Sequence, residues 1–139
     1  MPQFLFDTDH LTLYERNHPL IVGRLMMHPK GDIAISVVTI EESLRGRLAA
    51  LARARDARAR LILYPQLLAS INVFAQLPLI SWSQASAYAF QQLYRLRLRV
   101  GTQDLKIAAI ALTNDLTLLT RNRIDFSRIP GLKMSDWSV

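Results

Sequence analysis

The sequence predicts one α/β domain over residues 1–139, a mostly parallel central sheet of four to five strands flanked by helices, and three observations carry that expectation. Short apolar or β-branched runs alternate with helical segments from end to end, the pattern of a parallel sheet joined by helical crossovers. One helical segment, DLKIAAIALT at 104–113, is apolar almost all round, which places it centrally and buries it. No composition break, repeat or low-complexity linker divides the chain, and at 139 residues roughly two thirds of the unfolded surface can be buried in one core.

Taken in order, Gln3 to Phe6 is too short for a helix and reads as a buried strand ending at Asp7. Thr8 or Asp9 then caps a helix to about Asn17, and Pro19 opens another that His28-Pro29-Lys30-Gly31 stops near Met27. Ile33 to Val37 is a second strand. Thr39 with Glu42 three residues on has the spacing of a capping box, and a long helix follows from about Leu48 to Gln76, with Pro65 as its expected break. Leu79-Ile80 is a short strand, Ser81 or Ser83 caps a helix reaching about Leu98, and Asp104 to Thr113 is the buried helix. Asn114-Asp115 turns the chain into the strand Leu116 to Thr120, and Gly131 to Trp137 reads as an edge strand.

The absence of cysteine excludes a disulfide framework, a thiolate zinc site, an iron–sulfur cluster and a cysteine nucleophile. No apolar run reaches the roughly 18 residues that span a bilayer, and MPQFLFDTDH lacks the basic and long apolar regions of a signal peptide. The expectation is a cytoplasmic chain without membrane contact. The formal charge of +6 is uneven: Arg45 to Arg99 holds nine arginines and the single acid Asp56, net +8, which leaves −2 for the rest. Clustered arginine attracts phosphate and displaces its counterions, while a solvated helical face accounts for the same charge equally well. If ARARDARAR is helical, its arginines do not form one stripe.

In a parallel sheet the functional crevice lies beyond the carboxyl ends of the strands. Asp7, Glu42 and Asp125 follow three strands, and Asp104 joins them if its helix starts at the same edge. Carboxylates gathered there titrate upward unless a cation neutralises them, and an all-oxygen set suits Mg²⁺ or Mn²⁺ rather than Zn²⁺. Capping competes with this role for Glu42 and Asp104, and a turn role for Asp125. Asp7, a charge directly after a buried strand, is harder to place without a ligand. Glu41, Asp9 and Asp115 read as local caps or solvent-facing acids. His10, His18 and His28 lack metal-ligand spacing and read as packing or solvent-facing residues. Tyr88, Phe90 and Tyr94 have the helical spacing of core residues. No Gly-rich nucleotide loop, P-loop or G-x-S-x-G pattern is present.

FLFDTDHL at 4–11, TIEESLRG at 39–46, GTQDLKIAAIAL at 101–112 and LLTRNRIDFSRIPGLKMSDW at 118–137 resemble, in the right order, the four blocks of PIN-domain proteins, specifically the VapC-like toxin ribonucleases of bacterial toxin–antitoxin pairs. The resemblance implies a parallel sheet covered by helices, an acidic Mg²⁺ (or Mn²⁺) pocket, RNA cleavage leaving 5′-phosphate and 3′-hydroxyl ends, and inhibition by a cognate antitoxin. It matches Asp7, Glu42 and Asp104 to the first three acids, with Asp7 and Asp104 holding the metal and Glu42 holding it or orienting water. Asn122 stands where many members have the fourth acid, and Asp125, three residues later, is the candidate to serve in its place; Asp9 stands where many have Asn. The Arg45–Arg60 and Arg95–Arg99 segments are candidates for gripping RNA phosphates, and Lys106, Arg121 and Arg123 are candidate RNA contacts nearer the expected pocket, with Arg45 the first of the segment. A chain that is 50% apolar is also expected to cover surface as a homodimer or against its antitoxin. The competing readings are a degenerate, non-catalytic PIN module and a metal-dependent DNA nuclease.

Overall fold

Phe4, Leu5 and Phe6 offer no polar side to solvent, and the chain answers by covering both faces of the strand they form. The computed structural model describes residues 1–139. Its sheet contains β1 (Phe4–Phe6), β2 (Ile33–Ser36), β3 (Leu79–Ile80), β4 (Thr117–Leu119) and β5 (Met134–Ser135), ordered β3-β2-β1-β4-β5 with every pair parallel. Phe6 stands level with Ile35 on one side and Leu119 on the other, so the strand ends after β1, β2 and β4 share one edge.

Side chains alternate across the sheet and build two cores. Leu5, Ala34 and Leu118 pack with the helices α5 (Gln84–Arg95) and α6 (Thr102–Thr113). Phe6, Ile33, Ile35 and Leu119 face the other way, toward α1 (Thr8–Glu15), α2 (Pro19–Met26) and Phe74 of α4 (Arg60–Gln76). Between β2 and α4 runs α3 (Val37–Arg53), and α7 (Arg123–Phe126) is a single turn after β4. The expected α/β architecture is therefore present. Ile107 to Ala111 are fully buried, as the all-round apolar pattern of that helix requires.

Several boundaries differ for local reasons. Asp7, not Thr8 or Asp9, caps α1, its Oδ1 accepting the His10 N–H at 2.7 Å. Ser36 caps α3 by accepting the Thr39 N–H at 3.1 Å, so the Thr39–Glu42 capping box does not form and Thr39 lies buried inside the helix. The long helix is two helices. The break falls at residues 54–59, where Asp56 Oδ1 accepts the Ala59 N–H at 2.9 Å, while Pro65 is carried within α4. Ser83 caps α5. Phe90 packs against the core, but Tyr88 and Tyr94 are exposed, contrary to the core reading of their spacing. Gly31, at φ 91°, turns the chain from α2 into β2 in a conformation that disfavours any side chain.

Candidate active site

The chain lays β1, β2 and β3 outward in one direction and then returns to place β4 and β5 on the other side of β1. The strand order thus reverses between β1 and β4, and at such a switch point the loops leaving the carboxyl ends part to leave a crevice. Asp7 opens this gap. It is buried, its N–H donates to Leu119 O at 3.0 Å, and its carboxylate turns the chain into α1.

From β2, Ser36 caps α3 and so sets the phase of that helix, which brings Glu42 on its second turn to α1. There Thr8 Oγ1 donates to Glu42 Oε1 at 2.7 Å, and the second carboxylate oxygen has no protein partner. From the opposite face, α6 begins after its cap residue Gly101 and carries Asp104 in its first turn. Asp104 does not cap that helix, since the residue at the cap is Gly101 and no side chain closes it. The half-buried Asp104 carboxyl is pushed up to about 6, first by burial and then by the charges of Glu42, Asp7 and Asp125. Glu42, Asp7 and Asp125 therefore lie near enough for their charges to act on Asp104, and no Lys or Arg forms an ion pair with Asp7, Glu42 or Asp104.

The β4 side of the rim is arranged otherwise. Asp9 is clasped by Arg121, Nε to Oδ2 at 2.6 Å and Nη2 to Oδ1 at 2.8 Å, a contact that also holds the guanidinium above its ordinary pKa. Asn122 caps α7 and donates its Nδ2–H to Asp125 Oδ2 at 3.0 Å, and Arg128 Nη1 donates to Asp125 Oδ1 at 2.8 Å. Arg123 is exposed without an ion pair. Arg45 is exposed and paired with Glu41 at 2.8 Å, while Lys106 lies beside Glu41 and Trp82.

His10 is the residue that sequence spacing passed over. It is fully buried on α1, with Nδ1 3.5 Å from Asp7 Oδ1, and its Nε2 accepts the Trp137 N–H at 3.1 Å. In the neutral ring the proton then sits on Nδ1, which is buried and has no hydrogen-bond partner. The available signal was position: His10 is three residues beyond Asp7 on the buried face of α1. Asp7, Asp9 and His10 each present a ligand atom within 4.8 Å of the others. With Nε2 engaged and Asp9 paired, Asp7 is the free donor of that group. A larger cleft of about 630 Å³ lies elsewhere, lined by Leu25, Met26 and Gly31 at the amino end of β2, and contains no carboxylate.

A group of carboxylates with one elevated carboxyl, and with no Lys or Arg ion-paired to Asp7, Glu42 or Asp104, has the donor chemistry of a hard divalent ion. The description of the matching family model is PIN domain, over residues 5–132. Ribonuclease VapC1 of Rickettsia felis is 46% identical over 48 residues, 34% of this chain and 36% of that protein. Ribonuclease VapC of Rickettsia bellii is 40% identical over 65 residues, so this chain matches less than half the length of either Rickettsia relative (48% of the latter). The tRNA(fMet)-specific endonuclease VapC of Salmonella typhimurium is 28% identical over 142 residues, 99% of both chains. Among solved structures, DNA-bound VapBC from Salmonella typhimurium superposes with a TM-score of 0.83 at 26% identity over 99% of both chains. VapBC2 from Rickettsia felis bound to a promoter DNA fragment gives 0.75 at 24% identity over 96% of this chain and 98% of that one. With the family match running from β1 through the loop before β5, the chain belongs to the PIN-domain family.

Proposed function

We propose that the chain is a VapC-type endoribonuclease that uses Mg²⁺ or Mn²⁺ and is held inactive by a cognate antitoxin. The observation that carries this reading is the convergence of Asp7, Glu42 and Asp104 without a basic partner, which leaves Asp104 at about 6. Asp7 and Asp104 would hold the ion, and Glu42 would hold it or orient water. A divalent ion bound there supplies a nucleophilic water at neutral pH and neutralises charge developing on the phosphate. The chain's own residues do the rest. Thr8 fixes one oxygen of Glu42 and leaves the other open, so that it would hold the ion or orient the attacking water. The α1 cap fixes Asp7, and Asp125, held by Asn122 and Arg128, completes the rim. Cleavage breaks the P–O3′ bond, so the 3′ oxygen leaves as hydroxyl and the phosphate stays on the 5′ end.

Asn122 does not argue for a degenerate module: it has a structural task, capping α7 and holding Asp125, and leaves the three unpaired acids untouched. The name of the Salmonella relative makes transfer RNA the first substrate to try. Leu61, Ile62 and Leu68 on α4, each more than half exposed, offer an apolar face to an antitoxin or a second copy, and light scattering with and without the antitoxin tells these apart. The deciding assay is RNA cleavage by antitoxin-free protein in Mg²⁺. Activity lost with EDTA and in Asp7→Asn supports the reading; cleavage unaffected by either, or confined to single-stranded DNA, refutes it.

A further inference from the structure

The arginines at the outer end of the α3–α4 hairpin have no counterpart in the chemistry above. Arg53, Arg55 and Arg58 are exposed, and neither they nor Arg60 contacts a carboxylate. The one acid of the segment, Asp56, is committed to the turn: its Oδ1 accepts the Ala59 N–H at 2.9 Å and its carbonyl accepts from Arg60 Nη1 at 2.8 Å. Because the segment is a turn and not a continuous helix, the arginines share the end of one projection instead of being spread round a helix. Of the other arginines, Arg45, Arg47, Arg121 and Arg128 are each held by an acid of the fold, whereas Arg16, Arg24, Arg95, Arg97, Arg99 and Arg123 form no ion pair and are not gathered on this turn. The hairpin end thus holds four arginines against one acid, and none of the four forms an ion pair.

Its position relative to the acids is set by α3 itself. Glu42 and Arg53 lie on the same helix, so the hairpin end is about 17 Å from the acid pocket along the axis. An open cleft of about 520 Å³ covers part of this path, lined by Thr8, Glu15 and Glu42 on the side of the acids and by Gly46, Arg47 and Ala50 toward the hairpin, and it stops short of Arg53. A single strand covers that distance in about three to five nucleotides.

Resting on the ribonuclease reading, we infer that Arg53, Arg55 and Arg58 form a distal phosphate site for RNA, gripping the strand several nucleotides from the bond that is cut. Arginine suits this task because its charge is permanent and its planar fork matches phosphate oxygens. The site selects substrates by reach. A long RNA engages pocket and hairpin together, whereas a short one engages the pocket alone.

The test measures binding in EDTA by fluorescence anisotropy, with a 24-nucleotide RNA, a tetranucleotide and a polyglutamate of matched charge. In the triple variant Arg53→Gln/Arg55→Gln/Arg58→Gln, the Kd for the long RNA rises about tenfold and the slope of log Kd against log salt falls by about 2, while the tetranucleotide shifts less than twofold. The corresponding triple Lys variant, which keeps the charge and loses the fork, falls between wild type and the Gln variant. Equal changes for the two RNAs, or no change, overturns the inference. So does polyglutamate that binds wild type as tightly as the long RNA and loses as much in the variant, which would mark a surface for an acidic protein. Wild-type cleavage of the same RNA in Mg²⁺ is measured in parallel: absence of cleavage sinks the ribonuclease reading alone, and cleavage without the length-dependent effect sinks only the distal site.

Discussion

On the β1–β2 side of the pocket, Asp7, Glu42 and Asp104 have no Lys or Arg partner, whereas on the β4 side Asp9 is clasped by Arg121 at 2.6 and 2.8 Å and Asp125 by Arg128 at 2.8 Å. The same residue type does two jobs within one rim. An acid already paired has spent its charge on the fold; an unpaired, half-buried one is left with a cost that a metal ion removes. Under the proposed function, the contrast separates acids for binding from acids for construction. It also ranks their mutational effects.

The largest break in the contrast comes from Asp104→Asn. It keeps the shape of the side chain and, because Gly101 occupies the cap, leaves the start of α6 intact. RNA cleavage should fall about 10²- to 10³-fold, the scale for losing one group that stabilises developing charge. Asp7→Asn should match it with the α1 cap preserved, since Asn caps as well as Asp. Asp125→Asn should cost less than about tenfold, as its Asn122 and Arg128 contacts already commit it to the loop. Rate constants at saturating RNA rank the three, and a drop for Asp125→Asn as deep as for Asp104→Asn would erase the distinction between the two sides.

Proton linkage supplies the second effect. The folded protein holds the Asp104 proton up to about pH 6, while in the unfolded chain it leaves near the ordinary aspartate value of 3.8. Between those values the folded state binds more protons, so this group's contribution makes stability fall as pH rises from about 4 to 6. Thermal melts of metal-free wild type against Asp104→Asn should show that component in the wild type alone. Mg²⁺ at pH 7 should restore stability to the wild type and not to the variant.

How far these roles can be read without coordinates differs by residue. The alternation of strands and helices follows from local pattern, and a charged group directly after FLF marks Asp7 as exceptional because that strand is buried on both faces. Glu42 was legible as an acid near a helix start but not in its contact. Val37 and Val38 continue the apolar character of β2, so the true cap at Ser36 is masked, and the Thr39–Glu42 spacing offers a second, locally reasonable start. Tertiary burial of Val38 and Thr39 decides between them. The Ala/Arg-rich stretch at 53–60 has high helix propensity, yet the chain must reverse there to return along α4, and a turn held by Asp56 overrides propensity. Asp9 and Arg121 could not be paired from spacing at all, because the contact spans 112 residues and depends on β1 lying beside β4.

A third effect tests the support behind Glu42. Thr8→Val removes the hydroxyl that donates to Oε1 at 2.7 Å while keeping a β-branched side chain of similar shape. Cleavage should drop about tenfold, the lower end for outer partners of metal ligands, with stability changed by about 1 kcal/mol or less. A split between rate and melting temperature identifies Thr8 as positioning Glu42; a proportional loss of both would mean that the contact chiefly holds α1 against α3.

The smallest effect probes the β4 side from within. Arg121→Gln leaves Asp9 without its ion pair, and since the two side chains are 52% and 44% exposed, the melting temperature should hardly move. The freed carboxylate belongs to the group whose ligand atoms lie within 4.8 Å of Asp7. An added anionic oxygen at that distance raises the charge available to a hard cation, so Mg²⁺ binding measured by calorimetry should tighten about threefold. Asp9→Asn in the same background should return the affinity to its starting value. Were Arg121→Gln instead to weaken Mg²⁺ binding, the Asp9–Arg121 pair would be holding the β4 loop in place for Asp7, and the paired acids would serve the unpaired ones by position rather than stand apart from them.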